Sequence, residues 1–349
     1  MKKTDIDKLQ RDNIRKLQPY SSARSEYSGT DALFLDANEN PNNAPFNRYP
    51  DPMQLKLKKK IAEMKGVPVE RIFLGNGSDE AIDLLIRAFC QPGVDDILSI
   101  DPTYGMYKVC ADINEVKFNS VLLTADFQLD VSAILKMINP HTRLIFLCSP
   151  NNPTSNSFRE KDIMEIIERF DGLVVLDEAY IDFSGNQGFL KKLPEYQNLI
   201  ILRTFSKAWG LAGIRLGMCF ADSRVTAIMN KIKYPYNVNQ LTLSIALEAL
   251  VTERDIRDKW IEEIIGERKR ISEALLRYPF VLRVFPSDAN FLLVKVRNPK
   301  TLYDYLRDNR IIVRDRSKVS LCEGCLRFTV GTREENDTLL NALKKRTDT

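Results

Sequence analysis

The feature that most constrains this fold is a series of short segments too apolar to face water, set between stretches with helical spacing. The strand-like runs are Ile72 to Leu74, Asp96 to Ile100, Leu144 to Cys148, Leu173 to Leu176, Leu199 to Leu202 and Leu216 to Phe220. Helical patterns at Leu55 to Met64, Ala81 to Phe89 and Glu160 to Phe170 lie among them. A strand that is apolar on both faces must be covered on both, and helices that alternate with strands supply the cover. A largely parallel α/β sheet is therefore expected. A long helical stretch follows over 241–277, broken or bent near Thr252 and Gly266. After Pro279, strands at Val281 to Val284, Phe291 to Val296, Ile311 to Val313 and Leu326 to Val330 alternate with helices near Leu302 to Asp308 and Glu334 to Lys345. These form a smaller α/β unit, expected to be joined by the N-terminal arm. Residues 1–18 read as one short amphipathic helix with Ile6, Leu9, Ile14 and Leu17 as its apolar points. The expected division is an arm over 1–45, a large domain over 46–255 and a small C-terminal domain over 256–349, which suits a chain of 349 residues.

Composition sets several function classes aside. Lys and Arg number 51 against 47 Asp and Glu, and the two signs are interleaved, so no basic stripe for nucleic acid is expected. No apolar run approaches the ~20 residues that span a bilayer. The start, Met1-Lys2-Lys3-Thr4-Asp5, leads into a charged segment and not into the apolar core of a signal peptide. Six scattered cysteines are expected as free buried thiols in a reducing cytoplasm. Cys322-Glu323-Gly324-Cys325 has redox or zinc spacing but no second ligand pair, and His141 is the only histidine. No metal site is expected, and histidine-based catalysis is disfavoured.

In open α/β sheets the ligand lies beyond the carboxyl ends of the strands, and polar clusters here follow the predicted strands directly. Gly75-Asn76-Gly77-Ser78-Asp79 opens a helix; its free N–H groups suit an anion, although an ordinary helix cap looks the same. It is not the dinucleotide fingerprint, which counts against a nucleotide-dependent dehydrogenase. Asp101-Pro102-Thr103-Tyr104-Gly105 offers an aromatic ring for stacking, or a packed tyrosine in a turn. Ser149-Pro150-Asn151-Asn152-Pro153-Thr154 is a rigid turn in which Asn152 is a donor to a phenolate-type oxygen. Asp177, after an apolar run, is expected to be buried and so to need a cationic partner; a protonated pyridine nitrogen is one, and capping a helix is the alternative. Thr204-Phe205-Ser206-Lys207-Ala208-Trp209-Gly210-Leu211-Ala212-Gly213-Ile214-Arg215 places a lysine just past a strand end, beside residue types that hold phosphate. Poor hydration lowers an amine's pKa and makes it a nucleophile toward an aldehyde. Together these suggest pyridoxal phosphate (PLP), against the plainer reading of a solvated lysine on a glycine-rich turn. Residues 36–52, dense in Asn and Pro, are a linker or an ordered loop over a site.

Asn152, Asp177, Tyr180, Lys207 and Arg215, in this order and near this spacing, resemble the fold-type I PLP enzymes of the aspartate aminotransferase superfamily over nearly the whole chain. That fold has a large PLP-binding domain with a mostly parallel sheet flanked by helices, and a smaller α/β C-terminal domain. The resemblance implies that Lys207 holds the cofactor as a Schiff base and acts as catalytic base. It implies that Asp177 pairs with the pyridine N–H, that Asn152 and Tyr180 bind the ring O3′, and that Tyr104 stacks on the ring. Gly77, Ser78, Thr204, Ser206 and Arg215 would bind the cofactor phosphate, with Asp79 grouped beside them. A narrower set resembles the histidinol-phosphate aminotransferases: Gln18-Pro19-Tyr20, Asp36-Ala37-Asn38-Glu39-Asn40-Pro41, Arg48-Tyr49-Pro50, the 75–80 and 206–215 segments, Val313-Arg314-Asp315 and Leu326-Arg327.

This narrower likeness implies that Arg314 and Arg327 bind substrate anions and that Tyr20 and Asn38 line the substrate pocket. Tyr49 would cross a homodimer interface to the neighbour's cofactor phosphate. The implied reaction is transamination of L-histidinol phosphate, an amino phosphate ester, with the 2-oxo acid 2-oxoglutarate. An aromatic amino-acid aminotransferase and a threonine-phosphate decarboxylase are alternatives in the same superfamily. A non-catalytic PLP-binding regulator would need a DNA-binding module, for which the chain has no spare segment of ~60 residues. One departure is Ser155, where the turn usually continues with glycine.

Overall fold

The computed structural model describes residues 4–20 and 33–347. Its larger sheet has seven strands: β1 (Ile72–Asn76), β2 (Asp96–Asp101), β3 (Lys117–Leu122), β4 (Thr142–Cys148), β5 (Leu173–Asp177), β6 (Leu199–Thr204) and β7 (Leu216–Phe220). Their order is β1-β7-β6-β5-β4-β2-β3. Strands β2 to β6 are parallel to one another, whereas β7 is antiparallel to both β6 and β1. In β5, Leu173 and Val175 pack on one face with Phe89 and Phe146, and Val174 and Leu176 on the other with Ile163 and Phe205. Burial of each such side chain contributes roughly 1.5–3 kcal/mol, so apolar residues on both faces favour cover on both. Helices Leu55–Lys65, Glu160–Arg169 and Gln240–Thr252 cover one face; Gly77–Phe89, Met106–Ile113 and Ser223–Ile232 cover the other.

The smaller sheet is antiparallel throughout, in the order β10 (Arg314–Asp315), β11 (Cys325–Thr329), β9 (Phe291–Val296) and β8 (Val281–Val284). Leu292, Val294, Val296, Leu326 and Phe328 pack against Ile271, Leu302 and Leu343 from helices Arg254–Leu275, Pro299–Asp308 and Arg333–Thr347. The alternate residues turn toward the large unit: Leu293 and Cys325 join its core, and Phe291 meets Tyr180 edge-on at 5.2 Å.

Several expectations are corrected. The N-terminal segment is two short helices, Ile6–Leu9 and Asp12–Lys16, interrupted where the Arg11 amide donates to the Ala88 carbonyl. These helices do not join the small unit: Ile6 and Ile14 pack on the large sheet's helix layer, and the Thr4 amide donates to Gln197. The long helical stretch is broken at Glu253, while Arg254–Leu275 runs through Gly266 without interruption. Ile311–Val313 is not a strand; Ile312 is exposed and pairing starts at Arg314. Strand β3 and the helices Met106–Ile113, Val131–Met137 and Ser223–Ile232 were not anticipated. In β3 only Val121 is buried, because it is the edge strand. Of the charged start Met1-Lys2-Lys3-Thr4-Asp5, residues 1–3 lie outside the described residues. No helix among the described residues is long and apolar enough to cross a membrane, and the six cysteines are free and buried.

Ser155 occupies a backbone position with φ +68°. That conformation costs a non-glycine residue roughly 1–2 kcal/mol, which explains why glycine suits the turn. Its hydroxyl lies 2.6 Å from the Thr154 carbonyl and 3.2 Å from the Pro286 carbonyl, and its own carbonyl accepts from the Asp288 amide at 2.7 Å. Serine thus ties the turn to the segment leading into β9.

Candidate active site

Because β2 to β6 are parallel, their carboxyl ends share one edge of the sheet. Strand β7 runs the other way, so its start lies at that edge and Arg215, just before it, is delivered there. One pocket forms along this edge. It is lined by Gly77, Ser78, Asp79, Tyr104, Asn152, Asp177, Tyr180, Thr204, Ser206, Lys207 and Arg215, with Cys148 and Ala179 added. Eleven of the twelve expected cofactor-binding residues therefore converge from the carboxyl ends of five strands and the start of β7. The twelfth, Tyr49, lies elsewhere: it lines a separate pocket with Asn38 and stacks on Tyr236 at 4.4 Å. Tyr20 is 76% exposed and Arg314 is also exposed; neither lines the first pocket.

Lys207 is half-buried, with Nζ 5.4 Å from the centre of the Tyr180 ring. Burial lowers its pKa first, and the Arg327 guanidinium lowers it further. Both effects favour the neutral amine, the form that acts as nucleophile or base.

Asp177, at the end of β5, is 3% exposed. Its Oδ2 accepts from the Tyr107 hydroxyl at 2.8 Å and its Oδ1 from the Ala179 amide at 3.0 Å. Burial nevertheless pushes its pKa up to about 6, against the lowering by these two bonds. Such a carboxylate is held in place and short of a counter-cation, which is what a protonated ring nitrogen would supply. Tyr107 was missed in the sequence reading. It lies on the first turn of the helix Met106–Ile113, three positions after Tyr104 in the loop before it, and the two rings meet edge-on at 5.6 Å; a second tyrosine so close to the first was the available signal.

The end of the pocket at Gly77 is shaped by close backbone approach. Gly77 has φ +75°, and a Cβ there would come within 2.7 Å of the Arg215 guanidinium. A Cβ at Gly217 would lie 2.2 Å from the Ser78 amide nitrogen, so glycine in β7 lets the N-terminus of helix Gly77–Phe89 approach the turn. Arg215 is in the left-handed region, φ +54°, and its guanidinium lies 3.5 Å from Asp79. Asp79 also accepts from the Tyr104 hydroxyl at 3.1 Å. Asp79 thus holds both the Arg215 guanidinium and the Tyr104 hydroxyl. Thr204 accepts from the Ser206 amide at 3.1 Å and donates to the Leu216 carbonyl at 3.3 Å, which engages its hydroxyl within the turn. The Ser206 hydroxyl oxygen is buried without a hydrogen-bond partner. An orphaned hydroxyl between a helix N-terminus and an arginine fits an oxyanion such as the cofactor phosphate.

Asn152 is buried in the cis-proline turn, and its Oδ1 accepts from Arg327 at 2.6 Å. Its Nδ2 is left as the donor, as expected for a partner to a phenolate-type oxygen. Burial raises the Tyr180 hydroxyl well above its usual pKa, so it stays protonated and can donate as well. Behind Asp177, Glu178 and Arg203 form a buried ion pair at 2.7 Å that joins the ends of β5 and β6.

A family model described as aminotransferase class I and II matches residues 27–343. A histidinol-phosphate aminotransferase of Bacteroides fragilis (strain YCH46) is 55% identical over 341 residues, covering 97% of this chain and 99% of that protein. The solved histidinol-phosphate aminotransferase from Clostridium acetobutylicum is similar with a TM-score of 0.80 at 26% identity, covering 87% of this chain and 91% of that one. The structure from Sinorhizobium meliloti, solved in complex with pyridoxal-5'-phosphate, has a TM-score of 0.79 at 23% identity, covering 86% and 83%, a likeness of fold.

Proposed function

As this chain belongs to the aminotransferase class I and II family, we propose that it transfers the amino group of L-histidinol phosphate to 2-oxoglutarate, giving imidazole acetol phosphate and glutamate, a step of histidine biosynthesis. The observation that carries this reading is the 55% identity over 97% of the chain to a relative named for that reaction. The cofactor is pyridoxal 5'-phosphate and the fold is that of the fold-type I transferases.

The residues at the sheet edge suit these roles. When bound, the cofactor supplies an electron sink for the electron pair left at the substrate's α-carbon. Lys207 Nζ holds the cofactor covalently between turnovers and takes the α-proton when free. Asp177 keeps the ring nitrogen protonated. Asn152 and Tyr180 would orient the ring oxygen, and Tyr104 would stack on the ring. Ser206, Arg215 and the amides of Gly77 and Ser78 hold the phosphate. Arg327 and Arg314 bind substrate anions, since a guanidinium fork accepts carboxylate and phosphate alike; Tyr20 and Asn38 complete the pocket.

Two finer statements belong to the same reading. The chain works as a homodimer in which Tyr49 reaches the partner's cofactor phosphate. In support, Tyr49 is 51% exposed away from the Lys207 pocket, and Phe46 and Leu241, which line the same pocket as Tyr49, are exposed apolar side chains. Sedimentation should give twice the chain mass, and Tyr49→Phe should weaken cofactor retention; a monomer with full activity would refute this. The location is cytoplasmic, where free thiols persist.

Turnover measured side by side with histidinol phosphate, phenylalanine and threonine phosphate tests the substrate. Preference for histidinol phosphate is expected. Faster transamination of phenylalanine, or release of carbon dioxide from threonine phosphate, would favour the other two activities.

A further inference from the structure

Arg314 pairs with Arg327 across the β10–β11 ribbon, and the ladder continues where the Arg316 amide donates to the Cys325 carbonyl at 3.0 Å. Residues two apart on a strand share a face, so Arg316 lies on the side of Arg314 and Arg327. That side faces the cleft, because Leu326 on the alternate face is packed in the small unit's core. Arg327 is tied to a neutral partner, the Asn152 amide oxygen, and the Nε atoms of Arg316 and Arg327 are both buried without a hydrogen-bond partner. The charges that bear most on Arg316 are Arg327 and Arg314, and no Asp or Glu is among them. On the same face Cys325 joins the large unit's core and Arg327 reaches Asn152, which lines the Lys207 pocket, so this side of the ribbon is turned toward that pocket.

Three like charges on one face repel, and a buried Nε–H without an acceptor is costly, as on the half-buried Arg316 and Arg327. A carboxylate offsets one of them. A phosphate monoester near neutral pH carries about −1.5 to −2 and three acceptor oxygens, enough to engage more than one fork. We propose that Arg316 is a specificity-determining residue: a third guanidinium that, with Arg314 and Arg327, receives the phosphate end of the amine substrate and discriminates it from the singly charged carboxylates of the oxo acid. The assignment rests on the reading of the substrate as an amino phosphate ester.

The test uses the holoenzyme and its Arg316→Gln and Arg316→Lys variants, with cofactor content measured to establish that the site is intact. Losing a charged hydrogen-bonding partner should raise the KM for histidinol phosphate by roughly 10- to 100-fold in the Gln variant. The KM for 2-oxoglutarate and kcat should move far less. The Lys variant should fall between, because it keeps the charge and loses the fork. An unchanged KM for histidinol phosphate, or an equal rise for both substrates, would overturn the proposal while leaving the reaction assignment intact. A wild-type enzyme that does not use histidinol phosphate would refute the reaction assignment itself. In that event inhibition by inorganic phosphate, measured with the amine it does use, decides on Arg316: weaker inhibition of the Gln variant supports it, and equal inhibition overturns it.

Discussion

Replacing Lys207 by alanine should reduce turnover by at least about 10⁴-fold, the upper range for a single general base, since the covalent anchor is lost in the same step. No other amine lines the pocket to take its place. Tyr180, whose ring lies beneath Nζ, is held protonated by burial and is a poor substitute base. The proposed phosphate cup of Ser206, Arg215 and the Gly77 and Ser78 amides remains, so the variant should still bind the cofactor reversibly. It should lack the visible band that borohydride reduction fixes to the wild-type chain. Lys207 is only half-buried, so folding should be unaffected. Normal turnover in this variant would remove the basis for the whole site.

Asp177→Asn should lower turnover by roughly 10³-fold, the scale of removing one preorganised electrostatic contact in a dry site. Asparagine keeps the shape, can accept from the Ala179 amide through its oxygen, and can donate to the Tyr107 hydroxyl, which also accepts. The loss is therefore one of charge where the proposed role sets Asp177 against the ring nitrogen. The same substitution should act in the opposite direction on the cofactor-free chain. Burial raises the Asp177 pKa from 3.8 to about 6, so between these values the folded state binds the proton that the unfolded state has released. Stability then falls as pH rises from about 4 to 6, by about 3 kcal/mol in all, and stays low above that. Cofactor-free Asp177→Asn should lack this fall and melt higher than wild type at pH 7. Melting curves at pH 4 and pH 7 for both chains check the sign. A wild-type chain that gains stability over this interval relative to the variant would contradict it.

The large sheet was legible because its strands are buried on both faces, as β5 shows with four apolar residues shared between two cores. The polar groups that follow these strands were legible for the same reason, since parallel strands bring their ends to one edge. What was not legible lies where burial is one-sided or partners come from afar. Strand β3 has a single buried residue, and the apolar triplet Ile311–Val313 flanks a strand instead of forming one. Tyr107 touches Asp177 across 70 positions, and Arg203 pairs with Glu178 from the next strand, contacts that no local pattern encodes. Arg316 shares a face with Arg314 and Arg327 only once the register of β10 and β11 is known. The N-terminal helices could be read as amphipathic, but not the surface they cover.

The central claim is that Lys207 and its neighbours accept the amino group of a phosphorylated amine. Its most direct test is a single half-reaction: purified holoenzyme mixed with histidinol phosphate, without any oxo acid, while the cofactor's visible absorption is followed. The band should disappear with one equivalent of imidazole acetol phosphate formed per site, and phenylalanine at the same concentration should leave it largely unchanged. A band that persists with histidinol phosphate and is lost with phenylalanine would contradict the account.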